Sequence, residues 1–296
     1  MQELYPTVSV GKLTGLFGKS RQAYYQALTQ AGNQEMKDAI ILRLVSERRK
    51  EVEKAGTTKL LLMLDESFKA HNIKIGRDKL YDLLKAHGLL LRNRKRKPRT
   101  TDSNHRFRKY PNLIREITLT KASVLWVCDI TYISTSRGFA YLSLVTDAYS
   151  HKIVGHSLSR TLERIGPITA LKMALTDCDF HPHSLIHHSD RGIQYCCNEY
   201  IDLLEKYKIM ISMTEKGDPY ENAIAERVNG ILKAEFGLHR TFENFEEAEM
   251  AVTKGVTIYN NVRLHASCDY LTPSLAHSKT GLLARRWKNY KKKYSE

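Results

Sequence analysis

No stretch of this chain approaches the ~18 consecutive apolar residues that a membrane-spanning helix requires; the longest runs, such as Leu60 to Leu64, are a fraction of that. A helical membrane protein is thereby excluded. No basic stretch followed by an apolar segment opens the sequence, so no secretory signal is read there and a cytoplasmic location is expected. Cysteine is scarce: five residues (Cys128, Cys178, Cys196, Cys197, Cys268), with no C-x-x-C pair, support neither a disulfide framework nor a zinc knuckle. The histidine-rich stretch from His181 to His188 lies near Cys178 and Cys196 but matches no zinc-ligand spacing. Acidic residues are in deficit, 32 Asp and Glu against 47 Lys and Arg, for a net charge of +15. That surplus points to a polyanionic partner. With 296 residues, 42% apolar and 27% charged, the composition excludes wholesale disorder and fibrous repeats and leaves room for two or three domains.

The positive charge is concentrated. Nine Lys and Arg and a single acid, Asp102, fall between Arg92 and Lys109. Like charges at this density repel and cannot pack, so the segment reads as an extended linker lying on a polyanion, with Arg92, Arg94, Lys95, Arg96, Lys97 and Arg99 as phosphate contacts. A second basic cluster, Arg285 to Lys293, reads equally well as a solvated tail.

Before the linker the pattern is helical. Ser9 to Phe17, a turn at Gly18-Lys19-Ser20, and Arg21 to Gln30 with Ser20 as N-cap form one short helix pair. Apolar residues from Met36 to Val52 mark a further helix, long enough to pack against a second copy of the chain. Thr57 to Ala70, a turn from Asn72 to Gly76, and Arg77 to His87 closed by Gly88 form a second pair. A helix-turn-helix puts its second helix in the major groove, where Arg21, Gln22 and Gln26 in one unit, and Arg77, Lys79 and Lys85 in the other, would reach base edges.

After Ser123 the period changes. Val124 to Ile133, Gly138 to Thr146 and Lys152 to Ser159 read as an antiparallel meander. Helix (Glu163 to Leu175), buried strand (Ser184 to His188), helix (Asn198 to Tyr207), strand (Ile209 to Met213) and two more helices (Asn222 to Phe236, Phe245 to Tyr259) follow. This order describes an α/β core with helices on both faces of a mixed sheet, as in ribonuclease-H-like folds. The expected organisation is a helix-turn-helix over 1–33, a helical region with a second one over 34–91, a basic linker over 92–120, the core over 121–280 and a basic tail over 281–296.

Three carboxylates stand where chemistry is expected. Asp129 sits inside the apolar strand Leu125 to Tyr132, where desolvation costs several kcal/mol unless a cation or hydrogen bonds offset it. Asp190 follows the second buried strand in Ser189-Asp190-Arg191-Gly192, with Gly192 permitting a sharp turn. Glu226 lies early in a helix on which Asn222, Glu226, Gly230 and Lys233 fall on one face, so that Lys233 could meet a DNA phosphate. Asp147 reads as a turn former rather than a fourth ligand. Of His187 and His188, one should face the sheet interior and the other line the site edge.

Asp129 within Trp-Val-Cys-Asp-Ile-Thr-Tyr, Asp190 within His-Ser-Asp-Arg-Gly-Ile-Gln-Tyr, and Glu226 after 35 intervening residues together resemble the DDE triad of retroviral-integrase-like transposases. The chain is most similar to the second-frame protein of the insertion-sequence-three family, a likeness that extends to Tyr259 to His265 and Thr272-Pro273. Leu264 stands where that family commonly has proline, and Arg227-Val228 where it has Ser-Phe; neither change removes a metal ligand.

The resemblance implies a DNA transposase, associated with the bacterial nucleoid, that binds terminal inverted repeats and target DNA and cuts and joins strands. It implies catalysis by Asp129, Asp190 and Glu226 holding two Mg²⁺ or Mn²⁺ ions, since oxygen-only ligands select hard cations. It also implies a homo-oligomer, at least a dimer on paired ends, and an upstream first-frame protein of the same element as a partner. The alternatives are a catalytically silent DNA-binding regulator and a nuclease acting on RNA–DNA hybrids.

Overall fold

The computed structural model describes residues 8–91, 107–176, 180–215 and 222–286. The chain falls into two compact units, Met1–Lys50 with Gly56–Arg92, and Glu51–Ala55 with Asn93–Glu296.

The first unit is helical: α1 (Val10–Gly15), α2 (Arg21–Glu51), α3 (Thr57–Met63), α4 (Asp65–Ala70) and α5 (Arg77–Ala86). The Ser20 hydroxyl accepts from the Ala23 amide at 3.1 Å, capping α2 as expected. Instead of two helices meeting near residue 30, however, α2 runs unbroken for 31 residues. Gly32 and Asn33 weaken a helix by about 1 kcal/mol or less each, which does not break it without proline, and Gln34–Asp38 and Arg43–Glu47 contacts (2.8 and 3.0 Å) brace the following turns. Of the second expected pair, the helix over Thr57 to Ala70 is broken at Leu64 (φ −103°, ψ 3°) into α3 and α4, whereas the turn and α5 lie where expected. Asn72 and Gly88, both at positive φ, end α4 and α5, and the amide of the next residue bonds back to Phe68 and Leu84 respectively, at 2.8 Å in each case.

The second unit is built on β1 (Leu125–Thr135), β2 (Gly138–Asp147), β3 (Ile153–Ser159), β4 (Ile186–Ser189), β5 (Met210–Met213) and a short β6 (Thr241–Phe242). The sheet order is β3-β2-β1-β4-β5; β2 and β3 run antiparallel to their neighbours, whereas β4, β5 and β6 run parallel. Alternation along β1 separates two cores. Trp126 and Cys128 pack with α6 (Ile165–Thr176), α7 (Ile193–Cys196) and α8 (Asn198–Lys206) on one face. On the other, Ile133 packs with α9 (Ala223–Glu235) and α10 (Phe245–Asn261). Gly155 lets α6 lie directly on β3, because a Cβ there would come within 2.0 Å of the Ala170 carbonyl.

The end of α10 and the residues after it form a clasp. Asn260 bonds both the amide and the carbonyl of Ile153 (3.0 and 2.9 Å), like an added strand residue. Buried Arg263 grips Glu235 at the end of α9 through two bonds of 2.7 and 2.6 Å. The chain then forms a 3₁₀ turn (Ala266–Cys268) and α11 (Pro273–His277), capped by Thr272, and returns to the entrance of β1, where the Gly281 amide bonds the Thr120 carbonyl at 2.7 Å. Ahead of β1, Leu113 bonds Ser212 (2.9 Å), and Ile114, Ile117 and Leu119 pack against the core.

Candidate active site

Asp129 is the fifth residue of β1, on the face covered by α9. Asp190 directly follows β4, which runs parallel to β1 with His188 opposite Val127, so the two strands deliver their carboxylates at the same end. Glu226 lies in the first turn of α9, where the positive end of the helix dipole favours a carboxylate. Burial above all, with the charges of Asp190 and Glu226 adding to it and the hydrogen bond from Asn229 working against them, holds the Asp129 carboxyl at about 7. The three carboxylates thus share one electrostatic neighbourhood.

Two asparagines fix this arrangement. Asn222, at the start of α9, donates to the Cys128 carbonyl at 2.9 Å, and Asn229 donates from Nδ2 to Asp129 Oδ2 at 2.8 Å. Both are buried. The face of α9 turned to β1 is therefore Asn222, Glu226, Asn229 and Lys233, not the face through Gly230, which is exposed with open space around its Cα. Asn229 is a residue that the sequence reading missed; its signal was a polar side chain three positions after Glu226, inside an otherwise apolar turn.

Gly192 has an ordinary φ of −64°, so a sharp turn is not its reason for being there. Its amide donates to Asp190 Oδ1 at 3.0 Å, and an added Cβ would meet that same oxygen at 3.0 Å. The glycine clears space beside the carboxylate. His187 and His188 also depart from expectation, because both are buried and neither lines an edge: Nε2 of His187 meets the Tyr200 hydroxyl and Nδ1 of His188 meets Ser212, each at 2.8 Å. Burial drives His187 down to about 3, so it is neutral at physiological pH.

Asp147 is a turn former. It accepts from the Ser123 amide (2.8 Å) and from the amide and hydroxyl of Ser150 (2.8 and 2.7 Å). Burial works to raise its carboxyl, but hydrogen bonds from His277, Ser150 and Ser123 outweigh that and hold it below the usual range. His265 is structural as well, stacked on His151 at 5.3 Å between ring centroids. The ammonium of Lys233 lies 4.1 Å from the centroid of the Tyr132 ring.

Of the candidate DNA contacts, Arg21, Gln22, Gln26, Arg77, Lys79 and Lys85 are all exposed on α2 and α5, and Arg77 is paired with its neighbour Asp78 at 2.7 Å. Arg92, Arg94, Lys95, Arg96, Lys97 and Arg99 lie outside the described residues.

Among the described residues no three His, Cys, Asp or Glu side chains form a group ready to hold a metal ion. The donor set nevertheless suits a hard divalent cation. It is all oxygen, and its central carboxyl resists ionisation chiefly because it is buried and also because Asp190 and Glu226 are acidic. Beside it, among the described residues, the buried Oδ1 atoms of Asn222 and Asn229 accept no hydrogen bond.

Two family models, each described as an integrase core domain, match residues 120–219 and 207–273, and so take in all three carboxylates. A 31 kDa protein of insertion element IS600 from Shigella sonnei, described as uncharacterized, is 32% identical over 268 residues, 89% of this chain and 97% of that protein. The transposase for insertion sequence element IS629 from Shigella sonnei is 33% identical over 204 residues, 69% of this chain and 68% of that protein. The chain belongs to the insertion-sequence transposases with an integrase core domain. Among solved structures, the HTLV-2 integrase catalytic core domain in complex with magnesium aligns at a TM-score of 0.43 and 17% identity, over 53% of this chain and 97% of that one. Transposase function accounts for the basic charge, and among the described residues no helix is long and apolar enough to cross a membrane.

Proposed function

We propose that this transposase cuts and joins DNA strands at a site formed by Asp129, Asp190 and Glu226, which hold Mg²⁺ or Mn²⁺. The observation that carries the reading is the Asp129 carboxyl pushed up to about 7 by burial and by Asp190 and Glu226, acidic groups from β1, the end of β4 and the first turn of α9. Two divalent ions held there would supply the charge that lowers the barrier to in-line displacement at phosphorus.

The protein provides the frame. Asn229 occupies Asp129 Oδ2 and the Gly192 amide engages Asp190 Oδ1, orienting each carboxylate so that its other oxygen can serve as a ligand. In the first step a water oxygen bonds to phosphorus as the P–O3′ bond breaks, leaving a 5′-phosphate and a free 3′-hydroxyl. In the second, that hydroxyl attacks another phosphodiester. One O3′–P bond forms as one breaks, so joining needs no external energy source. No protein nucleophile enters either step.

The exposed Arg21, Gln22, Gln26, Arg77, Lys79 and Lys85 support sequence reading of terminal inverted repeats by residues 1–91. The basic run at 92, 94–97 and 99 suits phosphate contact with element and target DNA. Lys233, on the same helix face as Glu226, is placed to meet a phosphate near the site. Joining two ends calls for at least a dimer, and an upstream first-frame protein of the element is a further candidate partner.

The test is Glu226→Gln on element-end DNA. Nicking and joining should vanish while DNA binding and thermal stability are kept; a variant that joins strands at the wild-type rate refutes the assignment.

A further inference from the structure

The N-terminal half of α2 is far more exposed than its C-terminal half. Ile41 and Val45 are the buried residues of this helix, whereas from Arg21 to Lys37 every residue is exposed except half-buried Ala23 and Tyr24. A helical segment that buries so little of itself is marginal in water. α1 covers one side of it: Ala23, Tyr24 and Ala27 line a cavity with Val10 and Leu13. At 3.6 residues per turn the side turned away from Ala27, Ile41 and Val45 carries Arg21, Tyr25, Leu28, Gly32, Glu35 and Met36. Tyr25, Leu28 and Met36 are 46%, 52% and 67% exposed, and the three-and-four spacing is that of a seam between helices.

Gly32 is the telling residue of this strip. It stands inside a helix, where glycine is weaker than alanine, and its φ is not positive. A Cβ there would meet nothing within 4 Å. Neither a turn nor crowding among the described residues calls for a glycine, but the close approach of another helix does.

We propose that this strip joins two copies of the chain, packed antiparallel with Leu28 of each copy against Gly32 of the other. That register sets Arg21 and Tyr25, whose guanidinium carbon lies 5.7 Å from the ring centre, against Glu35 and Met36 of the second copy. Parallel packing would face Arg21 with Arg21, Glu35 with Glu35 and glycine with glycine, so charge and size both select the antiparallel arrangement. Charge also decides against DNA as the occupant: residues 21–39 hold two bases, Arg21 and Lys37, and two acids, Glu35 and Asp38, in a chain of net charge +15. Gln22 and Gln26 lie on a different side of the helix and stay open to DNA, whereas Arg21 can serve only one of the two. The stretch from Met36 onwards, expected from its sequence to join copies, buries Ile41 and Val45 in its own unit, and the open surface lies N-terminal to them.

The strip is about 28 Å long at ~1.5 Å per residue and about 10 Å wide, which is roughly 300 Å² on each copy, well below the ~800 Å² per partner of a stable complex. The contact is therefore weak alone and tightens when paired element ends bring two chains together. It deepens the strand-transfer reading and rests on it for those paired ends, not for the contact itself.

Sedimentation equilibrium of the full chain, in EDTA and without DNA, should show reversible monomer–dimer exchange at micromolar concentrations. Leu28→Asp should weaken it at least about tenfold, because each dimer loses two buried leucines. Gly32→Leu should do the same while helix content by circular dichroism is kept or raised, a combination that a merely structural glycine would not produce. Arg21→Glu and Glu35→Lys should each weaken association several-fold, and the two combined in one chain should restore it. Within one copy these positions are about 21 Å apart along the helix and cannot pair. Wild type that stays monomeric, Leu28→Asp or Gly32→Leu that associates like wild type, or a double reversal no better than the single ones overturns the proposal. So does a Leu28→Asp chain that loses affinity for element DNA but not self-association, which marks the strip as a DNA contact. Joining of element ends with Mg²⁺ is scored separately: joining by a chain that never self-associates removes this contact and leaves the strand-transfer reading, and self-association without joining does the reverse.

Discussion

Replacing Asp129 by Asn should stabilise the metal-free protein, and by an amount that depends on pH. The folded Asp129 carboxyl keeps its proton up to about pH 7, against 3.8 for an ordinary aspartate. Between those values the folded chain binds more protons than the unfolded one, so the group's contribution to stability falls as pH rises from about 4 and is fully lost above about 7. Roughly three units at ~1.36 kcal/mol each give about 4 kcal/mol. For a folding unit of this size that corresponds to about 8–16 °C in melting temperature. The substituted amide carries no titratable proton, so thermal melts in EDTA should show the variant well above wild type near pH 8 and level with it near pH 4. Mg²⁺ should narrow the gap at high pH, because only wild type gains from binding the ion. A variant that melts at or below wild type near pH 8 in EDTA would refute the argument, since the carboxylate would then be well accommodated without a cation.

Two further outcomes follow from the hydrogen bonds. Asn229→Ala frees Asp129 Oδ2, and the Mn²⁺ concentration needed for half-maximal nicking should rise about 10- to 100-fold, as for other residues that orient a metal ligand; an unchanged metal titration counts against a positioning role. Arg263→Ala removes the buried partner of half-buried Glu235 and should cost up to about 3–5 kcal/mol, measured by denaturant unfolding, with most of the loss recovered when Glu235→Leu is combined with Arg263→Met.

The meander and the helix–strand alternation of the core were legible because β-branched and aromatic residues cluster between clear turn signals, and β1 to β5 lie within a few residues of the expected spans. Elements without such signals escaped notice. Two-residue β6, single-turn α7 and α11 are fixed by tertiary contact, not by local pattern. The single helix α2 takes in both Arg21 to Gln30 and the stretch from Met36, expected as separate helices, because nothing between them forces a break and side-chain contacts brace the turns that follow. At the site, the carboxylates were visible as charges in costly places. Their supports were not: choosing Asn229 over Gly230 depends on how α9 is rotated about its own axis, which helical periodicity leaves open by some tens of degrees, and the space beside Asp190 that Gly192 preserves is a contact, not a propensity. The buried pairing of His188 with Ser212 likewise depends on β4 lying beside β5, which no local window contains.

The return of the chain to its own starting point gives the core an unusual practical property. The Gly281 amide bonds the Thr120 carbonyl, Lys121 bridges Thr280, and the Tyr149 hydroxyl bonds the Gly281 carbonyl at 2.9 Å. Entrance and exit are thus tied side by side, and Asp269 and Ala266 extend the tie to Ala284 and Arg286. A segment with adjoining ends has the geometry of a cassette: set into a surface loop of another protein, or reopened elsewhere after its ends are joined, it is expected to place little strain on the sheet. Cutting before Gly281 would instead remove the tie, and with it the support beneath the first residues of β1.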